Sequence, residues 1–123
     1  MAKPVRCLED LDLWQVSIDF AVLIHDLTAR RPADERFGLV SQMRKASVAI
    51  ASSIAEGFGR RTTGEYLNCL SVASGENREV FTQLVIVQRK KYIAADDAMM
   101  VLAMEMTNRI GRMLTVLIRR LRA

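Results

Sequence analysis

The chemistry open to this chain is carried mainly by arginine. Arg60 and Arg61 sit together in mid-sequence, and Arg109, Arg112, Arg119, Arg120 and Arg122 crowd its last part. A guanidinium offers paired N–H donors to phosphate oxygens, so this set predicts a surface for a polyanion. Eighteen Lys and Arg against fourteen Asp and Glu leave a formal charge of +4, enough to favour polyanions without making a basic tail. No RNP motif, aromatic stacking platform or recognition-helix pattern accompanies the arginines. Contacts are therefore expected with phosphates of RNA or DNA rather than with base edges, giving salt-sensitive affinity and weak sequence specificity. Cations near a helix C-terminus also complement its dipole. That accounts for Arg119, Arg120 and Arg122 but less well for Arg109 and Arg112, which lie turns earlier.

Acid–base catalysis is the competing chemistry, because Glu56 and Glu79 would form a pair if their helices faced each other. No nucleophile, glycine-rich phosphate loop or metal set accompanies them, and a non-catalytic protein is expected. Glu56 falls near a helix C-terminus, where the dipole disfavours its charge, so Arg44 or Arg60 should compensate it. Glu56, Glu79 and Arg44 are accordingly read as structural polar residues. If Glu56 is buried or half-buried, replacing it by Ala should cost a few kcal/mol through the partner left unpaired. Cys7 and Cys69 form no Cys-x-x-Cys, and His25 is the only histidine, which argues against a metal or other cofactor. A third class is an adaptor that offers the basic surface to an acidic protein partner, such as a larger nucleic-acid enzyme.

These side chains need elements to hold them. Half of the 123 residues are apolar, sufficient for one domain with a core that needs neither disulfide nor metal. Acidic residues follow the first few positions and interrupt every apolar run, which predicts no signal peptide, no membrane span and a soluble, cytoplasmic protein. Leu13, Val16, Phe20, Leu23 and Leu27 keep helical spacing over about Asp10 to Ala29, with Leu11, Trp14, Ile18, Ala21 and His25 as a second stripe. Arg30 to Glu35 reads as the first connection. Leu39, Met43, Ala46, Ile50 and Ser53 mark a second helix ending near Glu56-Gly57, where Gly57 and Gly59 are expected to supply positive backbone angles. Thr62 and Glu65 form a capping box for a third helix from about Thr63 through Leu67, Leu70, Ser74, Val80, Leu84 and Val87 to Arg89-Lys90-Lys91. Gly75 inside it suggests close packing. Asp96-Asp97 opens a fourth helix carrying Met99, Ala103, Met106, Ile110, Met113 and Leu117 beside Met100, Met104, Gly111, Leu114, Ile118 and Leu121.

Four helices with short connections predict an all-α, antiparallel up-down-up-down four-helix bundle over residues 1–123. The doubled stripes on the first and fourth helices exceed what one interior absorbs, so a homo-oligomer is expected. In such a bundle Lys3, Arg6, Arg60, Arg61, Arg119, Arg120 and Arg122 share one pole with few acids, mainly Glu9, Asp10 and Glu56. At the other pole Arg30, Arg31, Arg36, Arg89, Lys90 and Lys91 meet Asp26, Asp34, Glu35, Asp96 and Asp97. The first pole is the better anion site, and Arg109 and Arg112 extend it.

Phe37-Gly38-Leu39, Ser41-Gln42, Arg44-Lys45-Ala46, Ile54-Ala55-Glu56-Gly57-Phe58-Gly59-Arg60 and Thr82-Gln83-Leu84 occur in order, and with them the chain resembles the 23S rRNA intervening-sequence protein family. Leu13-Trp14-Gln15, Glu65-Tyr66, Gly75 and Glu79 extend the likeness to almost the whole chain. The family is related to the accessory variability determinant of diversity-generating retroelements. The resemblance implies a bacterial four-helix bundle assembled as a pentamer and, for the retroelement relatives, nucleic-acid binding beside a reverse transcriptase. Three positions depart from the family pattern: Ser53 stands where Asn is usual, Glu76 where Ser follows Gly75, and Phe81 where an acid is common.

Overall fold

The structure is a computed structural model that describes residues 4–29 and 38–123. Lys3, the expected first connection with Arg30, Arg31, Pro32, Asp34 and Glu35, and also Arg36 and Phe37 lie outside the described residues. The described residues form a 3-10 turn, Leu8–Asp10, and four helices: α1 Asp12–Thr28, α2 Leu39–Phe58, α3 Thr63–Arg89 and α4 Ala98–Arg122. No strand occurs among them. Helix α1 begins two residues later than the pattern suggests, because Leu11 N–H closes the 3-10 turn on Leu8 O at 2.9 Å.

The starts of α3 and α4 follow the side chains that cap them. Thr62 Oγ1 accepts from Glu65 N–H at 3.2 Å at the start of α3, the half of the capping box that satisfies an orphan donor. Asp97 Oδ1 accepts from Met99 and Met100 N–H at 3.0 and 3.2 Å at the start of α4.

Packing contacts run α1–α2, α2–α3, α3–α4 and α4–α1, closing a ring of four. Arg44, early in α2, reaches Thr28 at the end of α1, and Gly57 at the end of α2 lies against Tyr66 and Cys69 early in α3. These end-to-start contacts are what short connections between antiparallel neighbours produce. Phe20, Ile24, Leu27, Met43, Ile50, Ile54, Leu70, Leu84, Met100, Ile110 and Leu114 are fully enclosed in one core. Each such side chain contributes about 1.5–3 kcal/mol of burial free energy.

Two glycine expectations change. Among the described residues no glycine has positive φ; the one residue that does is Lys91, at 58°, in the turn after α3. Gly57 is required by proximity instead, since a Cβ there would lie 2.7 Å from Cys69 Cβ and 2.9 Å from the Tyr66 ring. Gly75 has nothing within 4 Å of its missing Cβ, so it is an exposed helix position and not a packing point. The doubled stripes also behave differently. On α4, Met99, Met104, Met106, Met113, Leu117, Ile118 and Leu121 are half-buried against the core, so the bundle itself absorbs that width. On α1, Ile18 and neighbouring Val22 stay exposed.

Candidate nucleic-acid interface

All seven arginines singled out from the sequence are exposed, but the structure divides them. Arg60 pairs with Glu56 one turn earlier on α2, which holds the Arg60 guanidinium pKa above its usual value through that bond and the carboxylate charge. It is the only one of the seven with an ion-pair partner among the described residues. Arg112 and Arg119 are seven residues apart, two turns of helix, and therefore lie along one line of α4. Both line a groove of about 670 Å³ between α3 and α4. Arg120 is turned towards α1, where it and Arg112 border a second groove beside Glu9, Asp10 and Asp12. By helical periodicity Arg109 falls on that α1 side, and Arg61 and Arg122 are exposed near the ends of the bundle.

The other wall of the α3–α4 groove comes from Ser74, Asn77, Arg78 and Phe81. The sequence pattern does not single out the last three for a site, although the i, i+3, i+4, i+7 spacing of the four is the signature of one helix face. The apolar stripe of α3 is the stronger signal and masks it. Arg78 adds a third guanidinium to the groove. Phe81, half-buried, brings an aromatic ring to a position where the resembled pattern more often carries an acid. Asn77 is 6% exposed. Its Nδ2 donates to Thr107 O at 3.0 Å across the helix pair, while its Oδ1 is buried and has no partner. Gly111 faces this amide, with its absent Cβ 3.5 Å from Asn77 Nδ2.

The two carboxylates considered as an acid–base pair, Glu56 and Glu79, are both exposed. Glu56 is exposed, its side chain 58% accessible, and its partner is Arg60 rather than Arg44. The condition for a costly Glu56→Ala change is therefore not met: an exposed i, i+4 pair is worth little. Arg44 instead donates from Nε to Thr28 Oγ1 at 2.9 Å and from a terminal nitrogen to His25 O at 3.3 Å. It thus places a cation on the C-terminal carbonyls of α1, where the dipole favours it.

Glu79 is exposed, and the half-buried carboxylate on α3 is Glu76, which accepts from Ser53 Oγ at 2.7 Å. Burial raises the Glu76 pKa, the Ser53 bond pulls it down in part, and the charge of Glu79 adds to the rise. Two of the departures from the resembled pattern, Ser53 and Glu76, are thus each other's hydrogen-bond partners. Among the described residues no set of His, Cys, Asp and Glu is placed to hold a metal ion, and no helix is long and apolar enough to cross a membrane.

A third groove, about 540 Å³ between α1 and α2, has a different lining. Trp14, Ile18, Ala21, Val22, Val48, Ala51 and Ala55 supply most of it, with His25, Asp26 and Ser52 at its margin. This is the second stripe of α1, joined by a face of α2.

Residues 9–116 match the model of the 23S rRNA-intervening sequence protein family. Among solved structures, the chain is similar to a protein of unknown function from the S23 ribosomal protein family of Bacteroides thetaiotaomicron VPI-5482. The TM-score is 0.79 at 21% identity, covering 87% of this chain and 95% of that one. That likeness is one of fold. No curated protein matches the chain.

Proposed function

The chain belongs to the 23S rRNA-intervening sequence protein family, and on that scaffold we propose that it works in the cytoplasm as a non-catalytic homo-oligomer that binds nucleic acid by its phosphates, with little sequence specificity. The observation that carries this reading is the α3–α4 groove, where Arg78, Arg112 and Arg119 converge without a carboxylate among its lining residues. Three guanidiniums along an open groove match the repeat of a phosphodiester backbone better than they match a compact substrate. Arg61 and Arg122 widen the positive field; Arg120 contributes less, because it borders only the groove of Glu9, Asp10 and Asp12, whereas Arg112 lies between the two grooves. Assembly, as a pentamer by resemblance to the family, would repeat the groove around an axis and multiply its field. The exposed apolar groove of α1 and α2 is the surface suited to burying copies against one another.

Titration of labelled single-stranded oligonucleotides of unrelated sequence, at increasing salt, tests the reading. Affinity should fall with a log–log slope of about 0.7 per phosphate contacted. Arg112→Glu with Arg119→Glu should weaken every sequence alike, by more than about tenfold, while helicity and oligomeric mass stay unchanged. Undetectable binding at low salt would remove the nucleic-acid reading and leave the adaptor for an acidic protein partner.

A further inference from the structure

We propose that the α3–α4 groove selects single-stranded RNA over DNA, with phosphates on Arg78, Arg112 and Arg119 and a ribose 2′-hydroxyl donating to Asn77 Oδ1. The inference rests on the nucleic-acid reading above and adds the class of strand.

Asn77 carries the argument. Its Nδ2–H to Thr107 O bond fixes which end of the amide is which, so the oxygen is the end left over. A carbonyl oxygen buried without a donor costs about 1–3 kcal/mol, and buried polar groups in native proteins nearly always find a partner. What this groove lacks is therefore a hydrogen-bond donor, supplied next to three cations. A phosphate diester at neutral pH has none. Neither does the sugar of a DNA strand within its chain, whereas every nucleotide of RNA carries one in its 2′-hydroxyl. Base amino groups are donors too, but they differ from base to base. A groove led by phosphate contacts meets the ribose hydroxyl at every step of the strand.

Phe81 supports the single strand, as distinct from its sugar, from a separate direction. It is the aromatic side chain lining the groove, on the same face of α3 as Asn77 and Arg78, and a ring so placed can stack a base of any identity. Base on Phe81, ribose at Asn77 and phosphates on the arginines follow one another as they do along a strand. Glycine at position 111 leaves α4 without a side chain over the Asn77 amide. Oδ1 is covered in the free protein, so the hydroxyl reaches it through a small rotation of Asn77 or a spreading of the helix pair at Gly111. Gln83 Oε1 is likewise buried without a partner, but it is not part of the groove lining.

The test compares three oligouridylates of equal length on the full chain by fluorescence anisotropy at one low salt concentration: RNA, its 2′-O-methyl form and the deoxy form. The methyl ether keeps the ribose and loses the donor. RNA should bind about three- to tenfold more tightly than either of the others, the worth of one hydrogen bond. Asn77→Leu should abolish that difference, and Arg112→Glu with Arg119→Glu should weaken all three. Equal, salt-sensitive binding of the three strands would overturn the RNA inference and leave the phosphate reading standing. No binding at low salt would overturn both. An RNA preference that persists in Asn77→Leu, or ignores the arginine reversals, would place the strand elsewhere and overturn this assignment.

Discussion

The α3–α4 and α1–α2 grooves are both clefts between neighbouring helices of one bundle, yet the chain has finished them in opposite ways. The α1–α2 groove is walled by Ala21, Ala51 and Ala55 beneath Trp14, Ile18, Val22 and Val48. Its unmet demand is the removal of apolar surface from water, about 25 cal/mol per Å², and this is non-directional, so any well-fitting apolar face satisfies it. The α3–α4 groove is walled by arginines, threonines and an asparagine whose oxygen lacks a donor. Its demand is directional: an anion must sit at the guanidiniums and a donor at one atom. On the proposed function, the difference separates two jobs on one small domain, self-association on one flank and recognition of a charged strand on another.

The largest expected effect lies on the apolar side. Ile18→Asp places a charge in the α1–α2 groove at a position already 36% exposed, so the subunit should fold. Light scattering should then show the proposed oligomer replaced by a subunit-sized species. Nucleic-acid binding should weaken only through lost avidity, whereas the Arg112/Arg119 reversals should do the opposite, sparing mass and losing affinity. An oligomer indifferent to Ile18→Asp would break the comparison on that flank.

Gly57→Ala probes the seam that joins α2 to α3 and so fixes the two grooves relative to each other. The added methyl meets Cys69 Cβ and the Tyr66 ring at under 3.0 Å, and the edge-on Phe58–Tyr66 pair, 6.3 Å between centroids, leaves the ring little freedom. Thermal or denaturant unfolding should register a loss of about 1–3 kcal/mol. The helix-propensity gain of about 1 kcal/mol for Ala over Gly offsets part of the clash.

Asn77→Leu sharpens the contrast from the polar side. It removes an unpaired buried oxygen and, with it, the Nδ2–H bond to Thr107 O, two changes of opposite sign, so stability should move by no more than about 1 kcal/mol, while the RNA preference disappears. A group kept for binding rather than for stability behaves in this way. A strong destabilisation by Asn77→Leu would show the amide to be a structural link between α3 and α4.

The smallest effect concerns Glu76. Its pKa is raised in the folded protein, so between its unfolded and folded values the native state binds more protons, and stability falls as pH rises through that window. Glu76→Gln keeps an oxygen for the Ser53 bond and removes the charge. Melting temperatures should therefore rise slightly at neutral pH and show no gain at a pH below the ordinary carboxylate range. A uniform shift at all pH values would mean packing, not charge, governs the site.

Much of the fold is legible in the residue pattern. The periodicity of Leu13, Val16, Phe20 and Leu27, the Thr62–Glu65 cap and the Asp97 start are local signals, and local backbone chemistry is what a sequence expresses directly. The arginines of α4 are visible there as a set, but their division is not. Whether Arg120 faces Glu9, Asp10 and Asp12, or Arg119 shares a groove with Arg78, depends on which helix lies alongside. Gly57 is legible as a glycine needed near a helix end, yet for the wrong reason: turn chemistry predicts positive φ, and the actual requirement is the approach of Tyr66 and Cys69. Glu56 reads from its place near a helix C-terminus as a carboxylate in need of Arg44 or Arg60, and only packing decides between them: it lies on the outside of α2, where Arg60 meets it.

The sequence by itself determined the number of helices, nearly all their ends, the surplus apolar face of α1 and a positive charge gathered late in the chain, because each of these follows from residue type and spacing along one strand of backbone. Tertiary structure alone decided that α4 spends its second stripe on its own core, that Ser53 and Glu76 compensate one another, and that Asn77, Arg78 and Phe81 of α3 complete the groove of Arg112 and Arg119. Those are relations between residues far apart in the chain, and only packing, which sets the rotation of each helix about its own axis, brings them within reach.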